Sequence, residues 1–306
     1  MPFSTIKKNS KEYTYFVAGS SKRLYLGTPE KPKVENIKKA LDLLDERHEK
    51  IEEEKRKIKS FFPTKNKELD EKPIEYKLVV FDLDGVLYQK PWHEIDDEKV
   101  AVSTWDILFQ ELGPTMYEMH EKLKNSFKTG LFKDYMEWTY RACGVLQSCL
   151  TKDKFEEVIN KRQLMLGAVE LFEELLKNNV KTALVSGSFE ALAQRAAKEL
   201  GGINHILAHC KLNFDSRGLL ESWNLKQTDY KDKVALVEKL AEDYKISIDK
   251  CAYVGDDVND SEVFKKVGLA IAFNCAKPQV RAFAHVVIKS QDLRDIIPHL
   301  KFNTKT

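Results

Sequence analysis

What this chain has little of narrows its class first. Its 306 residues include only five cysteines, Cys143, Cys149, Cys210, Cys251 and Cys275. They are odd in number, scattered and without Cys-x-x-Cys spacing, which argues for reduced thiols and against a structural zinc site. No apolar run approaches the roughly 18 residues of a membrane span. Met1 to Ser10 is polar and lysine-containing, without the apolar core of a signal peptide. Neither sign of charge is in excess: 50 Lys and Arg stand against 48 Asp and Glu. A net of +2 creates no global field that would draw nucleic acid or an anionic membrane. These absences predict a cytoplasmic protein with neither a membrane nor a nucleic-acid partner.

What is present divides the chain. In residues 1–72, Tyr13 to Val17 alternates as a strand, Ala18-Gly19-Ser20-Ser21 supplies a turn, and Arg23 to Leu26 is a second strand, predicting a small β-hairpin. After Pro29 and Pro32, Val34, Ile37, Leu41, Leu44, His48, Ile51, Lys55 and Ile58 recur in alternating steps of three and four. That is an a/d heptad seam interrupted by His48 and Lys55. Two readings follow: a coiled coil that makes a homodimer through residues 33–60, or one amphipathic helix lying on its own hairpin. Phe61-Phe62-Pro63 ends the helix, and Thr64 to Pro73 reads as a linker.

From residue 76 onward, apolar β-forming runs alternate with helical patterns, the signature of an α/β fold with a parallel sheet. The predicted strands are Leu78–Phe81, Thr182–Val185, His205–Ala208, Cys251–Val254 and Leu269–Ala272. An insertion at 88–162 reads as mainly helical, with helices at Ser103–Leu112, Thr115–Lys128, Phe132–Leu146 and Lys152–Arg162. Following directly on the first strand, it would sit above that strand's carboxyl end as a cap. The core would then comprise residues 76–87 and 163–306.

Chemistry-bearing residues fall where the predicted strands end. Asp82 and Asp84 leave the first strand two residues apart, on one side of an extended chain, and Gly85 permits a sharp exit. Carboxyl ends of strands are where open α/β sheets bind ligands. Val185-Ser186-Gly187-Ser188 is a small-residue loop suited to a phosphate at a helix N-terminus. Gly255-Asp256-Asp257-Val258-Asn259-Asp260 crowds three carboxylates into five positions. They repel one another unless a cation compensates them, which suggests Mg2+ held by oxygen ligands. Between these stretches, Lys231 and Lys233 open a helix whose apolar face is Val234, Leu236, Val237 and Leu240.

Asp82-Leu83-Asp84-Gly85-Val86, Val185 to Phe189, Lys233 and Gly255 to Asp260 resemble, in order, the four motifs of the haloacid dehalogenase superfamily. Ala208 with Leu212 to Asp215, and Gly268 to Phe273 with Ala276-Lys277-Pro278, are similar to its phosphoserine-phosphatase-like branch, so the likeness spans roughly residues 76–300. The resemblance implies a Rossmannoid core with a helical cap, and hydrolysis of a small phosphorylated metabolite, phosphoserine foremost. It makes Asp82 the nucleophile and Asp84 the general acid and base. Mg2+ would be held by Asp82, the backbone carbonyl of Asp84, and Asp256, with Asp260 orienting Lys233 or a metal-bound water. Ser186, Gly187, Lys233 and Asn259 would receive the phosphate, and Lys231 is the alternative lysine. The same residues permit transfer to an acceptor other than water, and the N-terminal helix keeps a scaffold role open.

The cap departs from that branch. The acid and the arginine with which phosphoserine phosphatases hold the amino acid fall, in register, at Pro91 and near Thr139. Glu94 and Arg141 lie close by and are the candidate substitutes. Trp105 and Trp138 read either as helix-face packing or as a wall that selects the substrate.

Overall fold

The computed structural model describes residues 3–8, 11–18, 22–28, 31–32, 75–95, 98–228 and 231–302. The heptad seam and the linker lie outside them. The chain separates into two units, Met1–Lys72 and Pro73–Thr306.

In the first unit, β1 (Phe3–Lys8), β2 (Lys11–Ala18), β3 (Lys22–Thr28) and β4 (Lys31–Pro32) form an antiparallel sheet in sequence order. The predicted hairpin is its β2–β3 pair, with Phe16 opposite Leu24 and Val17 opposite Arg23. The strands on either side of that pair go beyond the sequence expectation. Period-two alternation is weak in β1, which reads Phe-Ser-Thr-Ile-Lys-Lys and owes its place to pairing along β2.

The second unit is built on β5 (Leu78–Phe81), whose four residues are all buried. The insertion opens with β6 (Trp92–Ile95) and β7 (Glu98–Ala101). It continues with α1 (Thr104–Glu111), α2 (Pro114–Lys128), α3 (Tyr135–Leu146) and α4 (Lys152–Lys161). Then follow α5 (Ala168–Lys177), β8 (Lys181–Phe189), α6 (Glu190–Leu200), β9 (His205–Phe214), β10 (Leu220–Leu225), α7 (Lys231–Asp243) and β11 (Cys251–Gly255). Next come α8 (Ser261–Phe264), β12 (Leu269–Phe273), α9 (Pro278–Arg281), β13 (Val286–Ile288) and a 3-10 helix at Leu293–His299.

The seven-stranded sheet runs in the order β10-β9-β8-β5-β11-β12-β13, parallel throughout except for β10 against β9. β5 is central, and its side chains divide between two cores as the pleat requires. Val79 and Phe81 join Phe172 of α5 and Leu192 of α6 on one face. Leu78 and Val80 join Val237 and Leu240 of α7, Tyr253 and Phe264 on the other. A continuous apolar strand is therefore covered on both sides, as its composition demanded. The two chain crossings into the cap hold one another: Gln89 N donates to the Gln163 carbonyl at 2.9 Å, and Met165 N to the Leu87 carbonyl at 2.8 Å.

Three features differ from the sequence expectation. The insertion is mainly helical as expected but opens with the β6–β7 hairpin, which pairs Trp92 with Ala101 and Ile95 with Glu98. β9 runs on to Phe214 and folds back as β10, and β13 adds an edge strand. β8 extends to Phe189, so Ser186 to Ser188 belong to a strand whose register with β9 breaks between Ser186 and Phe189. The helix expected to open at Ser186 begins instead at Glu190. No described helix is long and apolar enough to cross a membrane.

Phe172 is 1% exposed, and its ring lies 5.1 Å from that of Phe81 beneath Asp82. Phe172→Ala is expected to lower stability by about 3–5 kcal/mol, read as a fall in denaturation midpoint at unchanged m-value.

Candidate active site

Three neighbouring strands converge at their carboxyl ends. β5 delivers Asp82 and Asp84, β8 delivers Ser186 and Gly187, and β11 delivers Asp256, with Asp260 in the turn of 3-10 helix that follows it. Gly85 makes the close approach possible. Its φ is +87°, and a Cβ there would collide with the Asp256 carboxylate, so only glycine fits.

Asp260 is fully buried and its carboxylate is saturated. Oδ1 accepts from Lys233 Nζ at 2.7 Å and from the Tyr253 hydroxyl at 2.8 Å. Oδ2 accepts from the backbone N–H groups of Asp256 at 2.9 Å and Asp257 at 3.1 Å. Lys233, also fully buried, reaches Asp82 Oδ1 at 3.4 Å. Of the two candidate lysines, Lys233 is thus the one placed between Asp82 and Asp260. Lys231 begins α7, and its side chain is outside the described set.

Asp84 is 7% exposed and firmly oriented. The Thr104 hydroxyl donates to Oδ1 at 2.6 Å, and its backbone N–H to Oδ2 at 3.3 Å. Arg162, 5% exposed, donates from Nη2 to Asp84 Oδ1 at 3.3 Å and to the Gln89 carbonyl at 2.6 Å. Both partners come from the cap side of the molecule. Sequence reading missed Arg162 and also Lys90, whose Nζ lies 2.6 Å from Asp256 Oδ2 and 3.8 Å from Asp257 Oδ2. Lys277, part of the family likeness in the sequence, forms an ion pair with Asp257. No pattern flags an isolated lysine or arginine as buried; only the surplus of carboxylates in two motifs hinted that cations had to come from elsewhere.

Burial, partly offset by Lys233 and augmented by Asp260 and Asp256, pushes the Asp82 carboxyl up to about 7. Burial likewise raises Asp256 to about 6, against the opposing pull of Lys90. Two carboxylate oxygens, Asp82 Oδ1 and Asp256 Oδ1, are buried without a hydrogen-bond partner. Oxygens of Asp82, Asp256 and Asp260 come within 4.8 Å of one another. A hard divalent cation suits such a set. The oxygens with unused lone pairs are those of Asp82 and Asp256, whereas Asp260 is occupied by Lys233, Tyr253 and two N–H groups.

A cleft of about 470 Å3 opens above these residues and is lined by Asp82, Asp84, Ser186, Gly187 and Asn259 at its floor. It extends into the cap past Trp105, Trp138 and Tyr135 to Asp106, His120 and Lys124. Asp106, His120 and Glu121 also present oxygens and nitrogen within 4.8 Å. Lys124 already bonds Asp106 at 2.6 Å and Glu121 at 2.7 Å, supplying the charge that a metal would bring. Pro91 does not line the cleft, and Thr139 is fully buried, its hydroxyl sharing a hydrogen bond of 2.8 Å with His209 Nε2. Arg141 is exposed, pairs with Glu137 at 3.1 Å, and is outside the cleft lining. Glu94 is in β6, but its side chain is outside the described set.

The sequence profile of haloacid dehalogenase-like hydrolases matches residues 76–268, more than half of the chain. The phosphoserine phosphatase of Methanocaldococcus jannaschii is 31% identical over 228 residues, covering 74% of this chain and 98% of that protein. That of Wolinella succinogenes is 30% identical, covering 73% of this chain and all of that protein. Among solved structures, a phospho-aspartyl intermediate analogue of phosphoserine phosphatase superposes with a TM-score of 0.60 at 26% identity. It covers 74% of this chain and 100% of that one. A substrate-bound phosphoserine phosphatase complex gives the same TM-score and identity, covering 74% of this chain and 99% of that one.

The raised Asp82 carboxyl makes stability depend on pH. In the unfolded chain its ordinary value is 3.8, so the folded state holds the proton more tightly. The resulting stabilisation is complete below about 4 and is lost as pH rises through about 7. Asp82→Asn removes this dependence. In chelator, its melting temperature relative to the unsubstituted protein is expected to rise more at pH 8 than at pH 5, measured by calorimetry.

Proposed function

This chain belongs to the haloacid dehalogenase-like hydrolases, and within that family we propose that it hydrolyses a small phosphomonoester through a covalent intermediate on Asp82. The observation that carries this reading is Asp82 itself, a buried carboxylate with an unbonded Oδ1 on the floor of a cleft, 3.4 Å from Lys233.

An Asp82 oxygen attacks phosphorus while the ester P–O bond breaks. Asp84 donates its proton to the departing alcohol oxygen, then takes one from the water whose oxygen attacks the phospho-Asp82. That second attack releases inorganic phosphate and restores the Asp82 carboxylate. Thr104 and Arg162 hold Asp84 in position for both transfers, and geometry of this kind is worth several orders of magnitude in rate. Lys233, fixed by Asp260, places its positive charge beside the oxygens that gain negative charge. Ser186 and Gly187 bind the phosphate from the β8 side, with Asn259 opposite. Mg2+, held by Asp82, Asp256 and the Asp84 backbone carbonyl, supplies Lewis-acid neutralisation of the phosphoryl oxygens when bound.

Phosphoserine is the first ester to test, since the relatives named above are phosphoserine phosphatases. The domain reading is likewise ours: residues 76–87 and 163–306 as the catalytic core and 88–162 as its cap. The appendage at 1–72 would mediate self-association through residues 33–60.

Phosphate release from a panel of phosphomonoesters tests the chemistry. Activity is expected to require Mg2+, to vanish in Asp82→Asn and to fall about 10²–10⁴-fold in Asp84→Asn. Acid quenching during turnover of a labelled ester should trap phosphate on Asp82; turnover without any trapped label would argue for direct attack by water. Mg2+ should also raise the melting temperature of the unsubstituted protein but not of Asp256→Asn.

A further inference from the structure

The cap end of the cleft is built from residues that the chemistry above leaves unused. Trp105 and Trp138 meet edge to face with ring centroids 5.4 Å apart, and Tyr135 stacks on Trp138 at 5.0 Å. This wall is tied to the phosphate side of the site, because Trp105 Nε1 and the Tyr135 hydroxyl donate to the Gly187 carbonyl at 3.2 and 3.0 Å. On α2, Lys124 and Lys128 lie four positions apart, one above the other on a single helix face, and both line the cleft.

The excess of positive charge lies at the cap end, where Lys124 and Lys128 line the cleft with one described acid, Asp106. Four described carboxylates line the cleft: Asp82, Asp84, Asp106 and Asp257. Asp82 is assigned to the reaction, Asp84 is held by Thr104 and Arg162, and Asp257 pairs with Lys277 and Lys90. Asp106 Oδ2 accepts from the Ser103 N–H and hydroxyl at 2.7 and 2.6 Å. Its Oδ1 takes His120 Nε2 at 3.0 Å and Lys124 at 2.6 Å. No described carboxylate at the cap end is left to receive an ammonium group. On the cationic side, Lys128 has no ion-pair partner among the described residues, and Lys124 is braced by Asp106 and Glu121 at the cleft wall.

We propose that Lys124 and Lys128, which line the cap end of the cleft, form a subsite for an acidic group on the alcohol half of the ester. The preferred substrate is then the phosphate ester of a hydroxy acid, or a bisphosphate, and not that of an amino alcohol. The inference rests on the phosphatase reading and goes further by naming the substrate class. The arrangement also accounts for Pro91 and Thr139: a site that reads an anion from α2 has no need of an acid and an arginine at those positions.

The test compares kcat/KM for 3-phosphoglycerate, glycerol 1,3-bisphosphate, phosphoserine, glycerol 3-phosphate and phosphoethanolamine, with Mg2+, in the full chain. One of the first two esters is expected to exceed glycerol 3-phosphate by about tenfold, the scale of one charge-assisted hydrogen bond, and to match or exceed phosphoserine. Which of the two leads identifies the acidic group. Phosphoethanolamine should be poorest. Lys128→Met should erase most of the acid-over-neutral ratio, and Lys128→Glu should invert it in favour of phosphoethanolamine. Lys122→Met, on the same helix but paired with Glu118 and outside the cleft lining, should leave the ratio unchanged. A ratio insensitive to Lys128→Glu, or a tenfold preference for phosphoserine over both other acid-bearing esters, would overturn the subsite alone. Absence of Asp82-dependent release from every ester would instead overturn the phosphatase reading along with it.

Discussion

Everything in the core unit is arranged around the burial of carboxylates at the end of β5 and β11. Asp82, Asp84 and Asp260 are each less than a tenth exposed, and Asp256 stands beside them. An isolated buried carboxylate is expensive, so each must be paired, hydrogen-bonded or neutralised. The chain meets that demand with three separate cations. Lys233 comes from α7, Lys90 from the first crossing into the cap, and Arg162 from the second. Two N–H groups of the turn after β11 complete the set around Asp260. The oxygens left without a hydrogen-bond partner in this set are one on Asp82 and one on Asp256.

This requirement couples the cap to the chemistry. Arg162 and Thr104 reach Asp84 from opposite ends of the insertion, so the orientation of that carboxylate depends on the cap's place over the sheet. The indole of Trp105 and the hydroxyl of Tyr135 donate to the carbonyl of Gly187, joining the same cap to the end of β8. The insertion is thus more than a cover. It holds the Asp84 carboxylate, braces the end of β8 at Gly187 and supplies the far wall of the cleft.

Much of the site was legible because its residues are local in sequence. Asp82 and Asp84 follow an apolar strand, and the acid-rich turn follows another, so strand-end logic was enough to place them together. Lys233 could be singled out only through the family likeness, since a lysine in a first helical turn is ordinarily solvated. The tryptophans of the cap were visible, and the packing reading describes both: Trp105 and Trp138 are buried in the core, at the lining of the cleft. The helix expected directly after Ser186 begins later because Phe189 pairs with Cys210 of β9 after a break in register, which carries β8 past the Ser-Gly-Ser turn signal.

The sequence by itself determined the alternation of strands and helices, the Leu78–Phe81 strand and the positions of the acidic motifs, because these depend on spacing between near neighbours along the chain. Only the tertiary structure decided which cations meet which acids. Lys90 finds Asp256 and Arg162 finds Asp84 across 166 and 78 positions of sequence. It also decided that Lys124 and Lys128 face the cleft while Arg141 does not. Such pairings depend on how helices and crossings pack over one sheet end, and no local periodicity encodes them.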